Sequence, residues 1–460
     1  MLSNSQMRDV QSVLHPYTNL VKFRDTGSLV IDKGKGVRVY DEHGKDYIEA
    51  MAGLWCTALG WGETILADVA AEQMKKLAFG HLFGAKSHEP AIALAEKLKE
   101  LVPFPVGKVF FANSGSEAND TQIKMAWYAA NARGQTKKKK ILSRTKAYHG
   151  VTLASASLTG LPANHRSFDL PLNFAIHADC PHHYHNAEPG ETEEQFSARM
   201  AANLDALIEK EGADTIAAMI AEPVMGAGGV IMPPKGYFPA IVAVLKKHNI
   251  PLIDDEVITG FCRTGEWFGC TTFGFQPDSI SVAKALSSAY LPISAVILSP
   301  ELSEVIEEES GKIGTFGHGF TYSGHPVSAA VAVKTLEIYQ ERKILEHVRK
   351  VAPYFQSKVR ALIEHPLIGE TVGVGLLGGV ELVADKKNRK NFDPAKAAGP
   401  TLASFAQEAG LIIRPMMQDR IAFCPPLIID KPDIDELFVR FETALNKTLD
   451  WATREKLLVA

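Results

Sequence analysis

The sequence has no long apolar run. No stretch approaches the ~18 uninterrupted apolar residues of a membrane span, so no membrane partner is expected. Cysteine is scarce: Cys56, Cys180, Cys262, Cys270 and Cys424 are five in 460 residues, and no two form a CxxC pair. A sparse, odd set excludes a disulfide scaffold and fits a reducing compartment, so a cytoplasmic location is expected. The N-terminus, MLSNSQMRDV, has no basic patch followed by an apolar run, so no secretory signal is read. Neither sign of charge dominates: 49 Lys and Arg against 53 Asp and Glu leave a net charge of -4. That balance recommends neither nucleic acid nor an anionic membrane as partner. The only basic block, Lys137–Lys140, reads as a surface loop before a strand. The small-residue turn at 113–116 is neither a GK[ST] P-loop nor a GxGxxG, which takes most support from an ATPase or a dinucleotide oxidoreductase. Internal repeats and low-complexity linkers are absent.

What is present is ordinary globular composition, 46% hydrophobic and 22% charged, in a chain long enough for two to four domains at about 100–200 residues each. Residues 64–79 and 89–101 carry apolar side chains at helical spacing. Short unbroken apolar runs read as buried strands: Val109–Ala112, Ile216–Ala221, Pro251–Ile253, Ile280–Ala283 and Ile293–Leu298. Runs without polar alternation suit a parallel sheet covered on both faces. Strand–helix alternation then predicts an α/β core over about residues 60–330. Residues 36–50 read as two short strands around a turn at His43–Gly44. Residues 330–365 read as helical, 371–385 as extended, and the last twenty-five as mostly helical.

Three segments carry chemistry. In VFFANSGSEAND (109–120) an apolar strand runs into small residues and then a helix. A helix N-terminus offers unpaired N–H groups to an anion; the ordinary alternative is a plain strand-to-helix turn with Ser116 as N-cap. In PLIDDEVITGFCRTG (251–265) three acids follow an apolar strand, where α/β sheets bind ligands. In DSISVAKALSSAYLP (278–292) Lys284 ends another apolar run, either snorkelling to the surface or buried. A buried lysine has a lowered pKa and can form a Schiff base. An anion cradle, an acid and an amine together are what pyridoxal 5'-phosphate (PLP) requires. CPHHYH (180–185) gathers four potential metal ligands, but no second cluster completes a site. A loop or dimer contact is the expectation there, and no metal.

These segments resemble the class III aminotransferases, PLP enzymes of fold type I, and within them the omega-amino acid or amine:pyruvate transaminases. The matching pieces run along nearly the whole chain: HPYTN (15–19), AGLWC (52–56), NSGSEAND (113–120), YHG (148–150), AEPVMGAGG (221–229), DEVITGFCRTG (255–265), AKALSSAYLPI (283–293), GHGFTYSGHP (317–326) and GLIIRP (410–415). The resemblance implies a large, mainly parallel-sheet PLP domain over 60–330. A smaller α+β domain would be built from 1–59 and 331–460.

By the same resemblance Lys284 is the Schiff-base lysine and proton shuttle. Asp255 holds the pyridine nitrogen protonated. Val257 and Tyr148 cover the two faces of the ring, and Gly115 and Ser116 bind the phosphate. Phe320 and Thr321 reach the cofactor of a neighbouring subunit, which implies a homodimer with shared sites. Glu222 supports the site from behind. Tyr17, Trp55 and Phe83, together with Tyr148, line the substrate pocket, and Arg414 meets a substrate carboxylate. The implied reaction moves an amino group from an amine or omega-amino acid to a keto acid, pyruvate foremost, by a ping-pong mechanism. The alternative on the same scaffold is an aminomutase or a decarboxylase. A non-catalytic PLP-binding protein is a third class, disfavoured by intact Lys284 and Asp255. Two positions depart from the motif. Asp254 stands where a small residue is usual, and strand alternation should point it away from Asp255. Cys262 replaces a glycine and reads as packing.

Overall fold

The structure, a computed structural model in which residues 2–458 are described, opens with two helices, Asn4–Ser12 and Leu20–Thr26, followed by three short strands, β1 (Ile31–Lys35), β2 (Arg38–Asp41) and β3 (Asp46–Glu49). β2 and β3 form the hairpin expected around His43–Gly44; β1 adds a strand that its polar sequence did not announce. Seven strands then build the central sheet: β4 (Val109–Ala112), β5 (Lys140–Arg144), β6 (Ala175–Ala178), β7 (Ile216–Ala221), β8 (Leu252–Asp255), β9 (Ser279–Val282) and β10 (Ser294–Leu298). Their order is β4-β10-β9-β8-β7-β5-β6. β10 runs antiparallel to both its neighbours, and the remaining contacts are parallel. The unbroken apolar run at 293–298 implies a parallel strand, and β10 is antiparallel instead. All five residues of β10 are buried, so the unbroken run reports coverage of both faces, not direction.

Alternate residues of each strand enter different clusters. Ile141, Ile220 and Ile253 pack with Ile123 of the helix Gly115–Ala132. Their neighbours Leu142, Met219 and Leu252 pack with Phe196, Phe238 and Ile241 from the helices Glu193–Glu211 and Tyr237–Lys247. Each such side chain, removed from water, contributes about 1.5–3 kcal/mol before entropy is counted. The basic block ends where expected, with Lys140 opening β5, but Lys138 is buried and its Nζ donates to Asn249 O at 3.0 Å.

The C-terminal part differs in detail from the sequence reading. The helical stretch at 330–365 is two helices, Pro326–Glu341 and Ile344–Ala361, parted at Lys343 with φ +53°. The extended stretch is a hairpin of β11 (Ile368–Val374) and β12 (Leu377–Leu382), turning at Gly375 with φ +58°. Then follow β13 (Leu411–Ile412), β14 (Arg414–Pro415), β15 (Arg420–Phe423) and the helix Lys431–Arg454. β13 pairs in parallel with β3, so the two ends of the chain share one sheet, while β14 completes the sheet β11-β12-β15-β14. Arg414 therefore stands just where the chain passes from one small sheet to the other.

CPHHYH does find partners, contrary to expectation. Arg420 on β15 is fully buried; its Nη1 pairs with Glu381 on β12 at 2.6 Å and with Glu370 on β11. His182 Nε2 lies 3.0 Å from Glu370 and His185 Nε2 2.6 Å from Glu381. Glu381 supplies the third donor that the sequence did not show, and both carboxylates pair with the Arg420 guanidinium. Burial alone would raise Glu370; the His182 hydrogen bond and the Arg420 charge outweigh it and pull the carboxyl down to about 2. Arg420 Nε also donates to Gly229 O at 2.5 Å, so the network ties the end of β6, the 221–229 turn and the C-terminal sheet together. Replacing Arg420 by Met leaves two buried carboxylates without their cation. Chemical denaturation should show a loss of about 3–5 kcal/mol; a variant as stable as wild type would refute this account of the network.

Candidate active site

β8 ends in two aspartates, and the pleat sends them to opposite sides, as expected. Asp255 faces a cavity of about 150 Å³ that Gly115, Ser116, Tyr148, Glu222, Val257 and Lys284 also line. Its carboxylate is gripped from behind. Oδ2 accepts from Asn119 Nδ2 at 2.7 Å and from His149 Nδ1 at 2.8 Å; Oδ1 accepts from the Val257 N–H at 3.1 Å. Asn119 also donates to His149 O at 2.7 Å. Sequence reading missed both residues, although each sits inside a quoted motif, NSGSEAND and YHG. The signal was polar side chains at positions the helix and turn bury completely.

Lys284 opens the one-turn helix Lys284–Ser287 after β9, with φ +47°. It is half-buried in the cavity wall, with its amine enclosed, and does not snorkel. Burial lowers its pKa, with the charge of Asp255 acting against that, and the net direction is downward, toward a free amine.

The cradle at 113–116 is built from close contacts. The N-cap is Ser114, whose Oγ accepts from the Glu117 N–H at 3.2 Å, rather than Ser116. Ser116 Oγ accepts from the Val151 N–H at 3.1 Å and keeps its own proton to donate. A Cβ on Gly115 would stand 3.0 Å from Val257 Cγ1, and one on Gly150 would stand 2.5 Å from Ser116 Oγ. Glu222 brackets two turns, accepting from the Tyr148 and Gly226 N–H groups at 3.0 Å each. Burial raises its carboxyl.

Above the cavity, Trp55 is 4% exposed. Lys284 Nζ lies 5.9 Å from its ring centroid and Arg414 Cζ 5.1 Å. Arg414 also lies 6.0 Å from the Tyr17 ring, and Tyr17 Oη accepts from Asn164 Nδ2 at 2.7 Å. Among the described residues Arg414 forms no ion pair; burial lowers its pKa, with Tyr148 and Tyr17 acting against that.

Three expected residues stand apart. Phe83 packs on Gly319 and lines a separate cavity of about 660 Å³ with Phe110, Phe316 and His318. Within one chain it does not reach Lys284. Phe320 lies beside His318, and Thr321 is exposed; neither lines the Lys284 cavity.

A buried amine and a braced carboxylate at the strand ends, with an anion cradle beside them, match the comparisons with known proteins. The family described as "Aminotransferase class-III" matches residues 22–445. The chain belongs to the class III aminotransferases. It is 51% identical over 437 residues to the tomato (Solanum lycopersicum) protein named "Gamma aminobutyrate transaminase 3, chloroplastic", covering 95% of this chain and 84% of that one. It superposes with a TM-score of 0.96 on the crystal structure of the omega transaminase from Pseudomonas jessenii in complex with PMP, at 49% identity over 98% of this chain and 99% of that one. A structure titled "Transaminase with L-ala" gives a TM-score of 0.90 at 53% identity, over 92% and 99%. The fold is that of the fold type I PLP-dependent transferases.

Class III aminotransferases use PLP, and the residues of this aminotransferase fit it. The slot has an apolar wall in Val257 and Ile258, an acid at one side, an amine within reach and serine plus helix N–H groups at the other end. Adding a Cβ at Gly115 would crowd the cradle against Val257.

Asp254, on the far side of β8, is fully buried, and neither carboxylate oxygen has a hydrogen-bond partner among the described residues. It lies near Glu256 and Cys270. Burial first, and the neighbouring Glu256 second, raise its pKa well above the ordinary range. Cys262 is buried beside Tyr339 in the core, as read, and burial pushes its thiol up. For Asp254 the folded state holds a proton that the unfolded state releases. Stability therefore falls as pH rises from the ordinary aspartate pKa toward the raised one. Asp254→Asn should flatten that fall in thermal unfolding followed between pH 4 and 9. An unchanged slope would show that Asp254 is ionised in the folded protein.

Proposed function

We propose that this aminotransferase moves an amino group from an amine or omega-amino acid to a small keto acid, with pyruvate as acceptor, in two half-reactions at one site. The observation that carries the reading is the buried, depressed-pKa amine of Lys284 sharing a cavity with the braced Asp255 carboxylate, under an unpaired Arg414. PLP, when bound, supplies an electron sink for the carbanion left as the donor's α-proton departs.

The roles follow from position. Gly115 and Ser116 hold the phosphate with N–H and O–H donors at a helix N-terminus. Asp255 would meet the pyridine nitrogen and keep a proton on it, and His149 and Asn119 keep Asp255 aimed into the cavity. Val257 and Tyr148 bound the ring. Lys284 would hold the cofactor through its amine, and its Nζ, free when a donor is bound, would take the α-proton and return it, which requires a pKa low enough for a free amine. Glu222 fixes the turn that carries Tyr148.

Arg414 serves the carboxylate of the keto acid. Its planar guanidinium grips a carboxylate in a way that lysine cannot reproduce, and one guanidinium matches a keto acid with one carboxylate. Resting on the Trp55 and Tyr17 rings, it has a place to stay when the donor carries no carboxylate. We further infer that the active unit is a homodimer. Phe83 and Thr321 lie outside their own chain's cavity but on one exposed surface with Phe79 and Tyr322, so a second copy is what would bring Thr321 to a phosphate.

Arg414→Ala should slow the half-reaction with pyruvate by about 10- to 100-fold, the range set by losing a charged hydrogen bond. The half-reaction with a simple amine should be nearly untouched. Stopped-flow absorbance of each half-reaction decides, and equal losses in both would refute the carboxylate role. Mixing Lys284→Ala subunits with an inactive Thr321 variant should restore activity in mixed dimers, each with one intact site. No recovery after mass spectrometry confirms exchange would mean that each chain completes its own site.

A further inference from the structure

The Trp55 indole fills the space between Lys284 Nζ and the Arg414 guanidinium, yet nothing polar holds it. Its Nε1 is buried without a partner. Its place depends on apolar contacts with Met51, Val230, Ile258 and Leu377 and on the backbone turn that carries it.

That turn is strained. Ala52, Gly53 and Trp55 have φ of +44°, +69° and +58°, and non-glycine residues adopt that region only when their surroundings enforce it. Hydrogen bonds from Trp55 N to Met51 O at 2.8 Å and from Cys56 N and Thr57 N to Ala52 O at 2.9 Å close the turn on one side. On the other side its N–H groups meet a side chain. Glu49, the last residue of β3 and 4% exposed, accepts from Gly53 N and Met51 N. Its own backbone is fixed by the Val37 carbonyl at 3.0 Å and by pairing opposite Ile412.

We propose that Glu49 is a positioning residue that sets where Trp55 stands, and so how much room a donor's side chain has beside Lys284. The inference rests on the transaminase reading for its consequence, though not for its geometry. Burial pushes the Glu49 carboxyl up to about 8, with the two amides acting against that. At neutral pH the side chain is then mainly a neutral acceptor, and its carbonyl oxygen is what the amides need. Glutamine offers the same oxygen at the same reach. Methionine fills the same volume without an acceptor, and aspartate keeps the acid but falls a methylene short.

The test compares Glu49→Gln, Glu49→Met and Glu49→Asp in PLP-loaded protein, each also combined with Trp55→Ala. The donors are L-alanine and 1-phenylbutylamine, whose propyl arm needs more room than a methyl. Losing a buried acceptor should relax the discrimination against the bulky donor by about tenfold in the ratio of kcat/KM values, a shift on the scale of one buried hydrogen bond. Glu49→Met and Glu49→Asp should both show it, while Glu49→Gln restores the wild-type ratio. In the Trp55→Ala background the same changes should leave the ratio where Trp55→Ala alone puts it. Crystal structures of Glu49→Asp and Glu49→Met should show the indole displaced, a readout independent of turnover. An unmoved indole, or a loss shared equally by both donors with and without Trp55, would overturn the proposal. If Glu49→Met does not fold, Glu49→Asp decides alone. A wild-type protein that turns over neither donor would instead overturn the transaminase reading and leave the indole's position to judge Glu49.

Discussion

Everything at this site depends on keeping an amine and a carboxylate buried near each other without letting them collapse into an inert ion pair. The structure does this by giving Asp255 other partners. Asn119, His149 and the Val257 N–H occupy its oxygens from the protein side, so the carboxylate is held and aimed without Lys284. Burial then dominates the lysine and lowers its pKa. The shift is in the direction that favours the free amine, the form the proposed role as a base requires. The parallel sheet supplies the geometry. β8 and β9 are neighbours in register, Asp255 opposite Ser281, so the acid at the end of one strand and the amine just past the end of the next open on one cavity.

The same fold buries charge elsewhere with opposite solutions. Around Arg420 the charges are kept, because two carboxylates, two histidines and a carbonyl surround one guanidinium. At Asp254 no cation is near enough, so the acid holds a proton instead. Asp254 and Asp255 are adjacent in sequence and differ in electrostatic fate because the pleat separates them by a sheet. One faces donors, and the other faces Glu256 and Cys270.

Much of this was legible in the residues, and the reasons for the rest are physical. The apolar runs located five of the seven central strands, since a strand covered on both faces needs no alternation. No apolar run marks β5 or β6; β5 is announced only by the basic block before it, and β6 by nothing. KILSR and AIHA carry lysine, arginine and histidine, whose burial depends on partners far along the chain, such as Glu222 O for Arg144 at 2.7 Å. The direction of β10 was not legible, because an apolar run encodes burial and not polarity of pairing. Lys284, Asp255, Gly115, Ser116, Tyr148, Glu222 and Val257 meet at one cavity, as the motifs implied. Phe83 does not join them within one chain. A motif states that a residue type is needed and leaves open which copy of the chain supplies it. His149 and Asn119 lay in plain sight, but their function is to touch Asp255, more than a hundred residues away, and only the fold makes that contact.

Backbone strain marks the same region as the charges. Non-glycine residues with positive φ include Tyr17, Ala52, Trp55, Lys284, Ser288 and Ala289. They belong to three segments that converge on the cavity from different parts of the chain. The segments brace one another: Ser288 Oγ accepts from the Leu59 N–H at 2.8 Å, just beyond the Trp55 turn. Each such conformation costs about 1–3 kcal/mol and persists only where neighbours over-determine it. Around Lys284 the neighbours are the strands β8 and β9, and around Trp55 they are β3 and the Glu49 carboxyl. Rigid sheet ends thus hold the reacting lysine and the residue that crowds it in conformations neither would adopt alone. On the proposed role of Glu49, selectivity for the donor resides in the small N-terminal sheet as much as in the sheet that carries Lys284 and Asp255.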